Sequence, residues 1–179
     1  MSRLRHRTLP GCTYFVTTEA SQRRAVFQAA TVAQIVVDRI MECRKQGAYL
    51  LHEFVLMPNH LHLLVTPGVN TSLERAMMLI KGGSSHQIHQ ACGNKIEIWQ
   101  SGFHDWTIRD AKDYGTKANY IRMNPVMANL AVKHEDWAYG SASGKFQLEL
   151  MPERFGALTL GAKAPLSHLD NVGAKAPTP

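Results

Sequence analysis

The sequence predicts an α+β fold with helices packed on one face of an antiparallel sheet, formed by a single domain. Strand and helix patterns alternate in the order strand, helix, strand, strand, helix, strand, which is the order of a ferredoxin-like split unit. The chain has 179 residues, of which 45% are hydrophobic. That length allows one domain with a buried core and leaves little room for a second.

The first strand and helix follow a turn at Pro10 and Gly11. Residues 13–18 are all β-branched or aromatic, so they predict the first strand. Thr31 is suited to cap a helix that runs to about Gln46, where Gly47 follows. Apolar residues recur at helical spacing along it.

Residues 49–57 and 60–66 predict the second and third strands, joined through Pro58 and Asn59 as an antiparallel hairpin. Side chains alternate between the two faces of a strand, so His60 and His62 share one face. Two neutral imidazoles side by side can hold one divalent metal ion. The alternative is a pair of histidines on the solvated face of a half-covered sheet.

Ser72 opens a second helix, which the sequence at residues 81–85 is expected to loosen because it contains two glycines and two serines. The buried stripe of this helix consists of four apolar residues: Leu73, Ala76, Met77 and Ile80. Residues 98–108 predict a fourth strand with an aromatic hairpin that turns at Ser101 and Gly102.

Asp110 is a good cap for a third helix, and Asp113 serves its first turn. Tyr120 and Asn124 lie four residues apart and therefore share one side of this helix. We expect Pro125 to end the helix, because the residue before a proline disfavours helical geometry. This later helix would meet the sheet face that carries the two histidines.

After residue 155 the composition shifts to Gly, Ala, Lys and Pro, with a six-residue unit that occurs twice. Such a segment buries too little apolar surface to order itself. We therefore divide the chain into a folded domain, residues 1–155, and a low-complexity, disordered tail, residues 156–179.

The chain carries a net charge of +6 and has a sequence pI of about 9.4, which favours polyanionic partners such as nucleic acid. No apolar run is long enough to span a bilayer, and the amino terminus lacks the apolar core of a signal peptide. We expect a cytoplasmic protein without membrane contact. The three cysteines are widely separated and predict neither a zinc knuckle nor a disulfide framework.

Two imidazoles, a phenol and an amide in a basic chain have the chemistry needed for phosphodiester transfer. His60-Leu61-His62 resembles the His-hydrophobic-His motif of the single-tyrosine (HUH) transposases. The segment from Tyr120 to Val126 resembles the Tyr-Ile-x-x-Asn-Pro-Val block of their REP-associated branch. Further similar blocks follow the same order, beginning at Leu9, Met57, Ile80 and Ile98, and the resemblance runs from about Leu9 to Ser143.

The resemblance implies a metal-dependent endonuclease and strand transferase that acts on single-stranded or hairpin DNA during transposition. Tyr120 matches the catalytic tyrosine, which forms a 5′-phosphotyrosine and releases a 3′-hydroxyl. His60 and His62 match the metal ligands, and Asn124 matches a position that can supply the third. Imidazole and amide ligands with phosphate oxygens suit Mg²⁺ or Mn²⁺. The protein would act as a monomer or a homodimer.

The chain departs from the family at Trp106, where relatives often have a histidine, and in its tail. Six basic residues are candidate phosphate contacts or, alternatively, solvated side chains: Arg3, Arg5, Arg7, Arg23, Arg24 and Lys81. Two other functions remain open. One is a domesticated, inactive nucleic-acid-binding module, and the other is a zinc hydrolase, which needs a third His or acidic ligand and a general base. Glu53 is the acidic residue that the sequence places near the histidine strand.

Overall fold

A computed structural model describes residues 8–93 and 95–160. Within these residues, four antiparallel strands form one sheet in the order β2-β3-β1-β4. The strands are β1 (Tyr14–Glu19), β2 (Tyr49–Met57), β3 (His60–Pro67) and β4 (His104–Thr107). Helix α1 (Ala30–Lys45) connects β1 to β2, and α2 (Leu73–Cys92) connects β3 to β4. The predicted ferredoxin-like α+β fold is therefore confirmed.

The central strand β3 contributes one face to the main core and the other face to a polar cleft. Leu61, Leu63 and Val65 are buried in the cluster that also contains the apolar faces of α1 and α2. On the opposite face, Leu64 belongs to a second cluster, which forms against a later helix. The two-residue period predicted for the histidine strand is thus observed, and both faces of the sheet are covered.

The later helix α3 (Ala111–Met127) packs on the second face through Tyr114, Ala118 and Ile121. The Asp110 carboxylate caps it by accepting a hydrogen bond from the Asp113 backbone N–H at 2.7 Å. A short helix, α4 (Glu153–Leu160), adds Phe155 to this cluster. The helix that carries the candidate tyrosine therefore lies on the histidine face, as expected.

The prediction that Pro125 ends α3 is wrong, since the helix continues to Met127. Proline removes only its own N–H bond, which would have reached the carbonyl of Ile121. The next turn is still closed, because Ala128 N donates to Asn124 O at 3.0 Å and Leu130 N donates to Pro125 O at 2.9 Å. Asn124 and Pro125 are also buried, so tertiary packing outweighs the local preference.

The prediction that α2 loosens at its paired glycines is also wrong, since the helix is continuous through them. A side chain at Gly83 would overlap the Arg39 guanidinium of α1. Arg39 Nε instead reaches across and donates to the carbonyl of Leu79 at 2.9 Å. The glycine is therefore explained by the close approach of the two helices, which outweighs its low helix propensity.

The predicted aromatic hairpin does not form, although β4 does. Trp99 forms a β-bridge with Ala20, and Gln100 N donates to Glu19 O, so this segment lies along the same edge of β1 that β4 continues. Trp99 is held by its ring contact with Phe27, at 4.5 Å between centroids, and its Nε1 donates to Ser84 Oγ. The segment around Trp99 therefore pairs with the edge of β1 instead of with the neighbouring residues that a hairpin would supply.

Helix α1 begins at Ala30 after Ala29, which makes no side-chain cap bond, rather than with the predicted cap Thr31. Helix α4 extends five residues beyond the predicted domain boundary at residue 155. Residues 161–179 of the predicted tail, and Arg3, Arg5 and Arg7, lie outside the described residues. Of the helices in the described ranges, none has the length and apolarity to cross a bilayer.

A polar network fixes α3 against the outer strand of the sheet. The Arg122 guanidinium of α3 donates to the buried Glu53 carboxylate of β2, and the Ser141 hydroxyl donates to the same carboxylate. Ser141 Oγ also accepts from the Phe54 backbone N–H at 3.2 Å. A buried carboxylate needs such donors, so the network both satisfies Glu53 and connects three segments.

We expect Arg122→Met to lower the free energy of unfolding by about 1–3 kcal/mol, because it removes one donor from a buried carboxylate while half of the arginine side chain was exposed. Lys112→Met, at an exposed position of the same helix, should change it by less than about 0.5 kcal/mol. Urea denaturation of both variants measures the difference. Equal stabilities would show that the ion pair contributes nothing.

Candidate functional site

An open pocket of about 550 Å³ lies between α3 and the histidine face of the sheet. Strands β1 and β3 form its floor, and α3 forms one wall. Its lining consists of the following residues: Phe15, Thr17, Glu19, Arg23, His60, His62, Thr116, Lys117, Tyr120 and Asn124. The structure thus brings His60, His62, Tyr120 and Asn124 together, although Tyr120 is 60 residues away from His60 in the sequence.

His62 presents an unpartnered ring nitrogen to this site. Its Nδ1 is hydrogen-bonded to Thr17 Oγ1 at 2.8 Å, and its ring stacks on Phe15 with 5.3 Å between centroids. The side chain is only 5% exposed, and its Nε2 is buried without a hydrogen-bond partner among the described residues. A buried polar atom left without a partner is costly, which is typical of a ligand position.

His60 lies beside His62, with 4.7 Å between the ring centroids. Its Nδ1 is hydrogen-bonded to Asn59 Oδ1 at 2.7 Å. The buried side chain of Asn124 also forms a hydrogen bond with the His60 ring. Asn124 therefore reaches the imidazole pair from α3, one helical turn after Tyr120.

Both imidazoles are neutral at physiological pH. Burial, together with the neighbouring His60 and Lys117, lowers the pKa of His62 to about 3. Burial also lowers the pKa of His60, with Arg23 acting in the same direction and Glu19 and Asn124 in the opposite one. Neutral imidazoles keep the lone pairs that a metal ligand must donate.

The candidate ligands, two imidazoles and one amide, fit an open site for an oxygen-preferring cation better than a closed zinc site. No group of three His, Cys, Asp or Glu side chains within residues 8–93 and 95–160 is placed to hold a metal ion. His60, His62 and the Asn124 amide can act together and leave positions for phosphate oxygens. Glu53, the residue expected to serve a zinc hydrolase, instead pairs with Arg122 and Ser141.

Tyr120 is 41% exposed at the pocket. Its ring makes edge contacts with His62 and Phe15, at centroid distances of 5.2 Å and 5.9 Å. The aromatic contacts orient the phenol while leaving part of it open to a ligand. A phenol in this position can act as a nucleophile toward a ligand bound beside the two imidazoles.

Sequence reasoning missed four polar residues of the pocket: Thr17, Glu19, Thr116 and Lys117. Lys117 precedes Tyr120 by three residues, so the helical spacing used for Asn124 also indicates it. Its Nζ lies 4.8 Å from the Phe15 ring centroid. Thr17 and Glu19 lie opposite His62 and His60 in the β1–β3 register, which no local sequence signal predicts.

Of the six predicted phosphate-contacting residues, one lines the pocket, two lie outside it and three fall outside the described residues. Arg23 lines the pocket and pairs with Glu19 at 3.2 Å. Arg24 donates to the carbonyls of Ser21 and Glu97, and Lys81 Nζ donates to those of Gln100 and Gly102. Arg24 and Lys81 therefore connect loops outside the pocket. Arg3, Arg5 and Arg7 precede the described residues.

Comparison with known proteins gives consistent matches. The family described as IS200-like transposases matches residues 8–124, a range that includes both histidines, Tyr120 and Asn124. A REP-associated tyrosine transposase of Escherichia coli (strain K12) is 29% identical over 142 residues, covering 79% of this chain and 82% of that protein. A solved structure of a REP-associated tyrosine transposase bound to a REP hairpin has a TM-score of 0.68 at 23% identity and covers 97% of this chain and 100% of that one.

The lowered pKa of His62 predicts a loss of stability in acid. Its pKa is about 3 in the folded chain and near 6.5 when unfolded, so the unfolded state binds more protons between these values. The stabilisation is complete above pH 6.5 and decreases as the pH falls toward 3. Metal-free wild type should lose about 1.4 kcal/mol per pH unit more than His62→Gln across this window.

Urea denaturation of both proteins at a series of pH values measures this difference. His86→Gln, at an exposed position of α2, is the matched control and should follow the wild type. Parallel pH profiles for wild type and His62→Gln would contradict a neutral, buried His62.

Proposed function

The chain belongs to the family of IS200-like transposases, and we propose that it is a single-stranded DNA endonuclease and strand transferase that uses Tyr120 as its nucleophile. The observation that carries this proposal is the arrangement of Tyr120 against His62, whose unpartnered Nε2 lies in the same pocket as His60 and Asn124. A phenol beside an imidazole nitrogen that has no protein partner supplies a nucleophile and a ligand atom for metal-assisted transfer of a phosphodiester to tyrosine.

The proposed substrate is single-stranded DNA next to a hairpin. The similar solved structure is of a protein bound to a REP hairpin, and the net charge of +6 suits a polyanion. Within the pocket, Arg23 and Lys117 are placed on the lining, where phosphate groups can approach the phenol. This charge supports DNA binding without specifying a sequence.

In the proposed reaction, Tyr120 Oη attacks the scissile phosphorus. The Oη–P bond forms and the phenolic proton is released, while the bond from phosphorus to the 3′ oxygen breaks and that oxygen takes up a proton. The products are a 5′-phosphotyrosine and a free 3′-hydroxyl. Attack by a 3′-hydroxyl on the phosphotyrosine reverses the step and rejoins a strand, which is the transfer that transposition requires.

His60, His62 and Asn124 are the residues that would hold Mg²⁺ or Mn²⁺. A bound ion would offset negative charge on the phosphate oxygens and so favour attack of the phenol on phosphorus. The Thr17 hydroxyl orients His62 through Nδ1, and Asn59 holds His60 in the same way. These contacts fix which nitrogen of each ring is available to a ligand.

We expect Tyr120→Phe to abolish strand cleavage while leaving folding intact, because it keeps the ring contacts with His62 and Phe15 but removes the attacking oxygen. The wild type should form a covalent adduct with labelled single-stranded hairpin DNA in Mg²⁺ or Mn²⁺, visible on a denaturing gel. Tyr139 makes an edge contact with Trp137 outside the pocket, so Tyr139→Phe is the matched control and should retain the adduct.

Cleavage by Tyr120→Phe at the wild-type rate would point to a metal hydrolase that activates water. DNA binding without cleavage or adduct by the wild type, across hairpins from the DNA flanking the gene, would point to the inactive binding module.

We expect His62→Gln and His60→Ala to reduce cleavage by at least about 100-fold, because each removes a ligand of the ion that offsets charge on the phosphate. DNA affinity should change little, since it rests mainly on basic side chains. Filter binding and gel cleavage assays separate the two effects, and His86→Ala serves as the matched control on α2. Wild-type cleavage that persists in excess EDTA would reject the metal site.

A further inference from the structure

The edge of the pocket carries an exposed aromatic ring that the proposed reaction does not use. Trp106 of β4 is 47% exposed. It lies opposite Phe15 in the β1–β4 register, and Phe15 contacts both His62 and Tyr120. Residues opposite each other in a sheet share a face, so Trp106 lies on the catalytic face, one strand outward from the pocket.

Two cations surround this indole. Lys117 Nζ lies 5.4 Å from its ring centroid and 4.8 Å from that of Phe15, so the ammonium group bridges the two rings. The Arg109 guanidinium lies 5.3 Å from the Trp106 centroid. Cation–π contacts hold these charges over the ring, where they can also meet phosphate groups.

Asp113 fixes the orientation of the group. Its Oδ2 accepts from Trp106 Nε1 at 3.1 Å and pairs with Arg109 at 3.4 Å. The indole N–H is therefore satisfied by the protein, while 47% of the residue is exposed to a ligand. An oriented, half-exposed ring flanked by cations combines a stacking surface with attraction for a charged backbone.

We infer that Trp106 is a stacking platform for one unpaired nucleobase of single-stranded DNA, with Lys117 and Arg109 contacting the adjoining phosphates. The chemistry of the surroundings favours this occupant, since a nucleotide offers both a π-face and a negative charge. This inference rests on the proposed function for its substrate class. The platform is separate from the cleavage chemistry, so the two can be tested apart.

The test uses tryptophan fluorescence and affinity in the Tyr120→Phe background, which removes cleavage. Trp99 is 6% exposed and Trp137 donates its Nε1 to Leu56 O, so a base that stacks on the protein surface should quench mainly Trp106. The probes are a thymidine homopolymer of about 12 nucleotides and an abasic oligonucleotide of equal length. The abasic probe keeps the phosphates and lacks the bases.

We expect the thymidine oligonucleotide to quench the fluorescence, and Trp106→Leu to abolish the quench and weaken binding by about 5- to 100-fold. Trp106→Tyr should recover much of the affinity, because it restores an aromatic face. The abasic probe should bind equally well to the Tyr120→Phe protein with and without Trp106→Leu. Met78→Ala, at an exposed apolar position of α2, should bind both probes as the parent does.

Equal loss of affinity for both probes in Trp106→Leu would overturn the platform, since the residue would then act only through the backbone site or the fold. Thymidine binding without Trp106 quenching, or binding of neither probe, would also overturn it. Quenching in a wild type that forms no adduct with any hairpin would support the platform while rejecting the proposed transferase. Normal adducts in the wild type, with DNA binding that does not depend on Trp106, would support the transferase and reject the platform.

Discussion

Helix α3 must be held at one height and rotation against strand β3, because its Tyr120 and Asn124 meet His60 and His62 only there. Apolar packing of Tyr114, Ala118 and Ile121 supplies most of the contact, but such packing is weakly directional. The Glu53 network adds a directional constraint, since Arg122 lies between Tyr120 and Asn124 of α3 and is bound to β2. The ion pair thus adds direction to the apolar packing of a helix that brings residues from opposite halves of the chain together.

Strand β3 serves the core and the pocket at once, and its stability must come from one side. Leu61, Leu63 and Val65 are completely buried against α1 and α2. On the other side, the Nε2 atom of His62 lacks a hydrogen-bond partner within the described chain, at a cost of about 1–3 kcal/mol. Burying one leucine side chain contributes a comparable amount, so the apolar face offsets the cost of an available ligand atom.

The sequence was informative where the structure depends on short spacings and uninformative where it depends on register. Alternation placed His60 and His62 on one face, and helical spacing placed Tyr120 beside Asn124. Thr17 and Glu19 could not be found in this way, because their positions depend on how β1 pairs with β3. Local rules gave wrong predictions at Pro125 and Gly83, because tertiary contacts outweigh intrinsic helix preference there. Pro125 is buried, and Arg39 approaches Gly83 closely.

The two edges of the sheet differ, and this difference limits how a strand of DNA can reach the pocket. Along the β2 edge, Gly140 bridges Val55 and Glu149 accepts from the Leu51 N–H, so later segments of the chain cover it. At the β4 edge, most side chains are exposed. A DNA strand bound as we propose, extended across the sheet face from Tyr120, would leave over β4, where it would pass Lys117 and then Trp106. The open edge, which is usually a liability in a sheet, here provides the side of the pocket that remains accessible to a polymer.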